Sequence, residues 1–96
     1  MAPEDVQSVS QLAREVRDVL DGTFSQVWVR GELSGFHAYG SGHWYFSIKD
    51  DDAQLKCAMF AGSNRRVRFR PKDGDEVLLR GRIDLYSKRG DLQLVA

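Results

Sequence analysis

A chain of 96 residues holds at most one domain, large enough to bury roughly 65% of its unfolded surface and to fold without disulfide or metal staples. Its 14 Lys and Arg balance 14 Asp and Glu, which argues against coating nucleic acid by bulk charge and leaves local basic clusters as the means of neutralising phosphates. One cysteine and two histidines cannot assemble a structural zinc site, no apolar run is long enough to cross a bilayer, and no charged-then-apolar leader is visible.

Met1 to Gln7 show no periodicity and are expected to form a flexible end. Ser8 or Ser10 can cap a helix on which Leu12, Val16, Val19 and Leu20 recur at i, i+4, i+7 and i+8, so one apolar stripe is expected to pack, with Gly22 ending the helix. Glu15 and Asp18 lie opposite that stripe and read as solvent-facing side chains rather than catalytic carboxylates.

From Gln26 the period changes to two. Val27, Val29, Gly31 and Leu33 share one face, with Trp28, Arg30 and Glu32 on the other. Residues 36 to 42, FHAYGSG, read as a glycine-rich loop that carries Phe36, His37 and Tyr39 into solvent. A hairpin follows: Trp44, Phe46, Ile48, Leu55, Cys57 and Met59 point inward, while His43, Tyr45, Ser47, Lys49, Lys56, Ala58 and Phe60 point outward. Asp50, Asp51, Asp52 and Ala53 make its turn, since adjacent turn carboxylates diverge and do not gather a metal. Cys57, on the inner face, reads as a small core hydrophobe.

Residues 61 to 73 form a basic connection with Arg65, Arg66, Arg68, Arg70 and Lys72, and one helical turn is expected around Asn64 to Arg68. Val77, Leu79, Gly81, Ile83 and Leu85 then alternate with Leu78, Arg80, Arg82, Asp84 and Tyr86. A turn at Ser87 to Gly90 leads into a last strand from Asp91 to Val95, so the tripeptide Arg89, Gly90, Asp91 reads as turn chemistry. Gly31 and Gly81 fall mid-strand on the presumed core face, where glycine marks a bulge, a close backbone approach or a sharp bend of a curling sheet. The expected fold is mainly β: a five-stranded Greek-key OB-fold barrel preceded by a short N-terminal helix.

The segments VSQLAREVRDVLDG (9 to 22), VWVRGELSGF (27 to 36), SGHWYFSIKDDDAQLKCAMF (41 to 60) and RVRFRPKDGDEVLLRGRIDLYSKRGDLQL (66 to 94) together resemble the N-terminal OB-fold domain of the exodeoxyribonuclease VII large subunit. The resemblance implies a bacterial cytoplasmic nuclease whose large subunit joins several small subunits and degrades single-stranded DNA from either end to acid-soluble oligonucleotides. It also implies a fragment: residues 8 to 96 as one nucleic-acid-binding domain, with the catalytic and helical regions of the parent absent. No catalytic residue transfers, no cofactor is called for, and the last strand is expected to be imperfectly closed. The implied partners are single-stranded DNA and the small subunits, with self-association left open and no membrane.

In OB-folds the usual groove crosses the outward face of strands two and three, flanked by the loops after strands one and four. There Tyr45 and Phe60 are expected to stack on bases, with Lys56, Lys49 and Arg30 near phosphates. The loops add Phe36, His37, Tyr39, Tyr86, Lys88 and Arg89. Arg65, Arg66 and Arg68 would meet a strand that continues beyond the barrel, Trp28 is open to either stacking or packing, Trp44 belongs to the core and His43 closes its loop. The competing expectation is an interaction module whose aromatics and arginines dock the rest of the enzyme or another subunit; a tRNA-binding module is open on fold grounds alone.

Overall fold

The computed structural model describes residues 4–86 and 88–96. Helix α1 (Val9–Thr23) starts in a capping box: the Ser8 hydroxyl accepts from the Gln11 N–H, and the Gln11 side chain accepts from the Ser8 N–H. It runs past Gly22, because the Phe24 N–H still reaches the Leu20 carbonyl at 2.7 Å. The expected packing of its stripe is corrected. Leu12, Val16 and Val19 are exposed and no residue of α1 is buried. The helix is held near its C-terminal end against the strand Glu76–Tyr86 instead, by the Ile83 N–H donating to the Phe24 carbonyl (3.0 Å) and by Arg17 Nε donating to Asp84 Oδ1 (3.3 Å).

Among the described residues five strands, β1 (Val27–Ala38), β2 (Trp44–Lys49), β3 (Gln54–Met59), β4 (Glu76–Tyr86) and β5 (Asp91–Val95), close into a barrel in the order β1-β2-β3-β5-β4. Every pairing is antiparallel except β3 with β5, which is the Greek-key crossover of the OB-fold. Leu33, Phe46, Ile48, Cys57 and Leu94 form the buried centre, with Val29, Trp44, Leu55 and Ile83 packed around them. Burial pushes the Cys57 thiol up to about 12, against a weaker opposing hydrogen bond, so the thiol stays protonated and packs as a hydrophobe. The last strand is not open at its edge: β5 lies between β3 and β4, and the Ala96 N–H donates to the Ala58 carbonyl at 2.8 Å.

Both mid-strand glycines are close approaches. A Cβ on Gly31 would lie 3.0 Å from that of Ile48, and one on Gly81 would lie 2.8 Å from the Val95 carbonyl carbon. A methyl group has no room at Gly81 and would press on its neighbours at Gly31, so strands β5 and β2 can cross closely there and the sheet can close.

Three local placements differ from expectation. The loop at 36 to 42 begins later, because β1 continues through Ala38 across a bulge between Ser34 and His37 with Gly35 at φ 61°. That extra residue flips the alternation. Phe36 turns inward against Trp44 (5.2 Å between rings) and Phe46 (6.0 Å), its N–H bonded to Asp73 Oδ1, so it is a core-rim residue and not a solvent aromatic. Ala58, placed outward by simple alternation, is 0% exposed, enclosed in mid-sheet between its partners Tyr45 and Val95. The helical turn falls earlier, at α2 (Ala61–Asn64), because His43 Nδ1 accepts from the Ala61 N–H and Asn64 Nδ2 donates to the Gly42 carbonyl.

Candidate nucleic-acid interface

The outward side chains of β2, β3, β5 and β4 line a groove of about 660 Å³. Cross-strand register explains its rows: Ser47 pairs with Lys56, Lys56 with Gln93, and Gln93 with Asp84, so one polar row runs over four strands. The β1 bulge aims His37 outward at one end, and the hairpin between β4 and β5 brings Tyr86 and Arg89 to the other. That hairpin is closed by the Arg89 and Gly90 N–H groups donating to the Tyr86 carbonyl, with Gly90 at φ 69°. Ser87, where the predicted turn begins, lies outside the described residues.

Aromatic rings form two clusters in this groove. His37, Tyr39 and Tyr45 stand edge to face in sequence, at 4.2 Å and 5.4 Å between centroids. Phe60 is braced edge-on by His43 at 5.2 Å, and His43 is itself fixed through Nδ1, which leaves its proton on Nε2. Tyr45 remains 38% exposed, and Tyr39, Phe60 and Tyr86 are exposed with it. Rings held by neighbours yet open to solvent can take a base without first losing much side-chain freedom.

The cations are partly engaged. Lys56 Nζ lies 3.2 Å from Asp91, and Arg82 Nη1 lies 3.3 Å from Asp84, which also binds Arg17. Partial burial pushes the Asp84 carboxyl up, but the Leu85 N–H, Arg17 and Arg82 outweigh it and hold the group below its ordinary value. Exposed pairs of this kind are worth at most about 1 kcal/mol, so a phosphate can displace the carboxylate. Arg89 makes no ion pair among the described residues. No group of three His, Cys, Asp or Glu side chains that could hold a metal ion occurs among them either.

Of the residues singled out in the sequence, His37, Tyr39, Tyr45, Lys56, Phe60, Tyr86 and Arg89 are brought together here. Lys88 sits beside Arg89 in the same turn. The others lie elsewhere. Lys49 is 3.9 Å from Glu32 at the far end of β2, and Arg30 pairs across to Leu78 on β4. Phe36 is turned into the core rim, while Arg65, Arg66 and Arg68 belong to the connection after α2. Arg82, Asp84, Asp91 and Gln93 complete the groove and were not singled out. Alternation along β4 already aims Arg82 and Asp84 to one side, but only the insertion of β5 between β3 and β4 brings them beside Lys56.

Residues 7–96 match the family described as OB-fold nucleic acid binding domain. The chain is 51% identical over its whole length to an exodeoxyribonuclease 7 large subunit of Hahella chejuensis, covering 22% of that protein. It is 52% identical, over 94% of its length, to that of an Enterobacter species, covering 20%. It thus spans about a fifth of the length of these relatives. Among solved structures, the SSB domain of a Synechococcus protein superposes with a TM-score of 0.58 at 15% identity, over 74% of this chain and 88% of that one. The Schizosaccharomyces pombe Stn1–Ten1 complex superposes with a TM-score of 0.57 at 17% identity, over 74% and 53%. With the barrel order, the groove and the match over residues 7–96 in agreement, the chain belongs to the OB-fold nucleic acid binding domain family.

Proposed function

We propose that this chain binds single-stranded DNA along the Tyr45 groove, as the substrate-binding domain of an exodeoxyribonuclease VII large subunit. The observation that carries the reading is the gathering of Tyr39, Tyr45, Phe60 and Tyr86 beside Lys56, Arg82 and Arg89 in one groove. Each base stacked on such a ring contributes about 1 to 3 kcal/mol, and only an unpaired strand offers base faces for stacking. Lys56, Arg82, Lys88 and Arg89 take the phosphates, and His37 closes one end. Arg30, Lys49, Arg65, Arg66 and Arg68 lie off this track and meet only a strand that runs on past the barrel.

The parent enzyme, on this reading, degrades single-stranded DNA from either end to acid-soluble oligonucleotides, in the bacterial cytoplasm and in complex with several small subunits. Its catalytic and helical regions lie outside residues 8 to 96, and these residues bind substrate without cutting it. The relatives' name, exodeoxyribonuclease 7 large subunit, supports DNA as the substrate. Fluorescence anisotropy with labelled oligo-dT, its duplex and its RNA counterpart, at low and moderate salt, tests the reading. Salt-sensitive preference for single-stranded DNA is the expected result. Equal binding of RNA would change the substrate, and no binding at low salt would remove the function.

A further inference from the structure

A second groove, of about 940 Å³, opens where β4 and the start of β1 face the connection that follows α2. Core side chains, Phe36, Trp44 and Phe46 among them, reach its floor. Its rim carries three large apolar side chains left in solvent: Trp28 at 63%, Phe69 at 60% and Leu78 at 60% exposure. A contiguous apolar patch rimmed by polar groups marks a surface that something covers.

The chemistry favours polypeptide over nucleic acid as that cover. Arg80 lies 5.7 Å over the Trp28 ring, so that face is already occupied by a cation and less open to a base. Among the lining residues Arg66 and Arg80 are matched by Asp75 and Glu76, so the groove itself carries no net positive charge, and Arg65, Arg68, Arg70 and Lys72 of the same connection are not among its lining residues. What remains is apolar floor and wall of the kind that takes aliphatic or aromatic side chains.

The position of Ala96 says which polypeptide. Ala96 is itself part of the groove wall. Its N–H is bonded to the Ala58 carbonyl at 2.8 Å, and its Cα lies against Gly81, where a Cβ would come within 2.9 Å. Strands β3 and β4 therefore hold this backbone from both sides and fix where the following residue starts. The relatives are several times longer than this chain, which covers 20% to 22% of them. We propose that, in a chain of that length, the segment directly following residue 96 lies in this groove and covers Trp28, Phe69 and Leu78. A tethered segment has an effective concentration in the millimolar range at its own groove, so modest contacts hold it. The inference does not depend on DNA binding in the Tyr45 groove.

Photo-crosslinking in the full-length chain tests it. The photoreactive residue p-benzoylphenylalanine is placed at Phe69 and, in a separate protein, at Leu78, both exposed enough to accept the larger ring. Irradiation is followed by digestion and mass spectrometry, with and without oligo-dT. The expected product is an intrachain crosslink to the peptide that follows residue 96, in unchanged yield at high salt and with DNA present. A crosslink to a second copy, to another polypeptide, to a distant part of the same chain or to the oligonucleotide would overturn the proposal. So would no crosslink from either position in protein whose circular dichroism matches the unmodified chain; if one position disturbs folding, the other decides.

Discussion

The two grooves are made from the same barrel and both carry exposed aromatics, yet the cargo proposed for them differs. In the Tyr45 groove the rings brace one another edge to face and the charged side chains stand beside them, so both a ring face and a cation are within reach of one nucleotide. In the Trp28 groove the ring is capped by its own cation and the floor is core. Counting exposed aromatics and arginines would treat the two alike. Where each cation sits relative to each ring separates them.

The largest expected effect falls on both grooves at once. Gly81 faces inward against β5, and Gly81→Val would force its side chain into the Val95 carbonyl and Ala96. Overpacking of this kind costs about 3 kcal/mol, and here it prises apart the strands that define each groove. Urea denaturation read by tryptophan fluorescence should show a lower midpoint, with DNA binding lost in parallel. A variant of unchanged stability would mean that closure at Gly81 does not shape either site.

Next comes the substitution that should split them. Tyr45→Ala should weaken oligo-dT binding by about 1 to 3 kcal/mol, roughly 5- to 150-fold, while leaving the salt slope nearly intact, because a ring neutralises no phosphate. Trp28→Ala should leave DNA affinity unchanged. If Trp28→Ala proves as costly, DNA reaches the Trp28 groove as well and the division of cargo between the grooves fails. Arg89→Ala provides the complementary reading in the Tyr45 groove: a smaller loss of affinity, with the slope of log K against log salt falling by about 0.7, as for one phosphate contact on a single strand.

Much of this was legible in the sequence, and what was not has definite physical causes. An N-cap at Ser8, one of the two serines offered, the inward row of Phe46, Ile48 and Cys57, the Asp50 turn and the crowding at the two mid-strand glycines follow from local chemistry and period-two alternation. In that turn the Asp52 and then the Ala53 N–H donate to Asp50 Oδ1, which holds its carboxyl below the ordinary value. The fate of Phe36 was hidden, because a bulge glycine at φ 61° looks, in a run such as GFHAYGSG, like any loop glycine. Ala58 is enclosed although alternation turns it outward, because alternation tells which side a residue faces and not whether neighbours cover it. The stripe on α1 has helical period and yet stays exposed, since periodicity reports an apolar face without naming what meets it. The neighbourhood of Arg82 depends on a parallel pairing between strands far apart in the chain, which local pattern does not carry.

The smallest expected effect is the most discriminating, because one substitution should move two properties in opposite directions. Asp84 holds Arg17 of α1 and Arg82 of the Tyr45 groove, both at 3.3 Å. Its folded-state pKa lies below the ordinary 3.8, so the unfolded chain takes up the proton more readily. Asp84 therefore contributes stability that is present above pH 3.8 and lost as pH falls through the folded value. Asp84→Asn should lower stability at neutral pH by less than about 1 kcal/mol, the side chain being only partly shielded from solvent, and the difference from the parent should vanish on acidification. Freed of its carboxylate, Arg82 becomes available to a phosphate, so oligo-dT affinity at low salt should rise by about 0.5 kcal/mol, roughly twofold. Thermal melts across pH and one anisotropy titration measure both. If affinity falls together with stability, Asp84 serves DNA binding by positioning Arg82 rather than by competing for it, and the pairing of acids with cations in this groove is a scaffold for the strand.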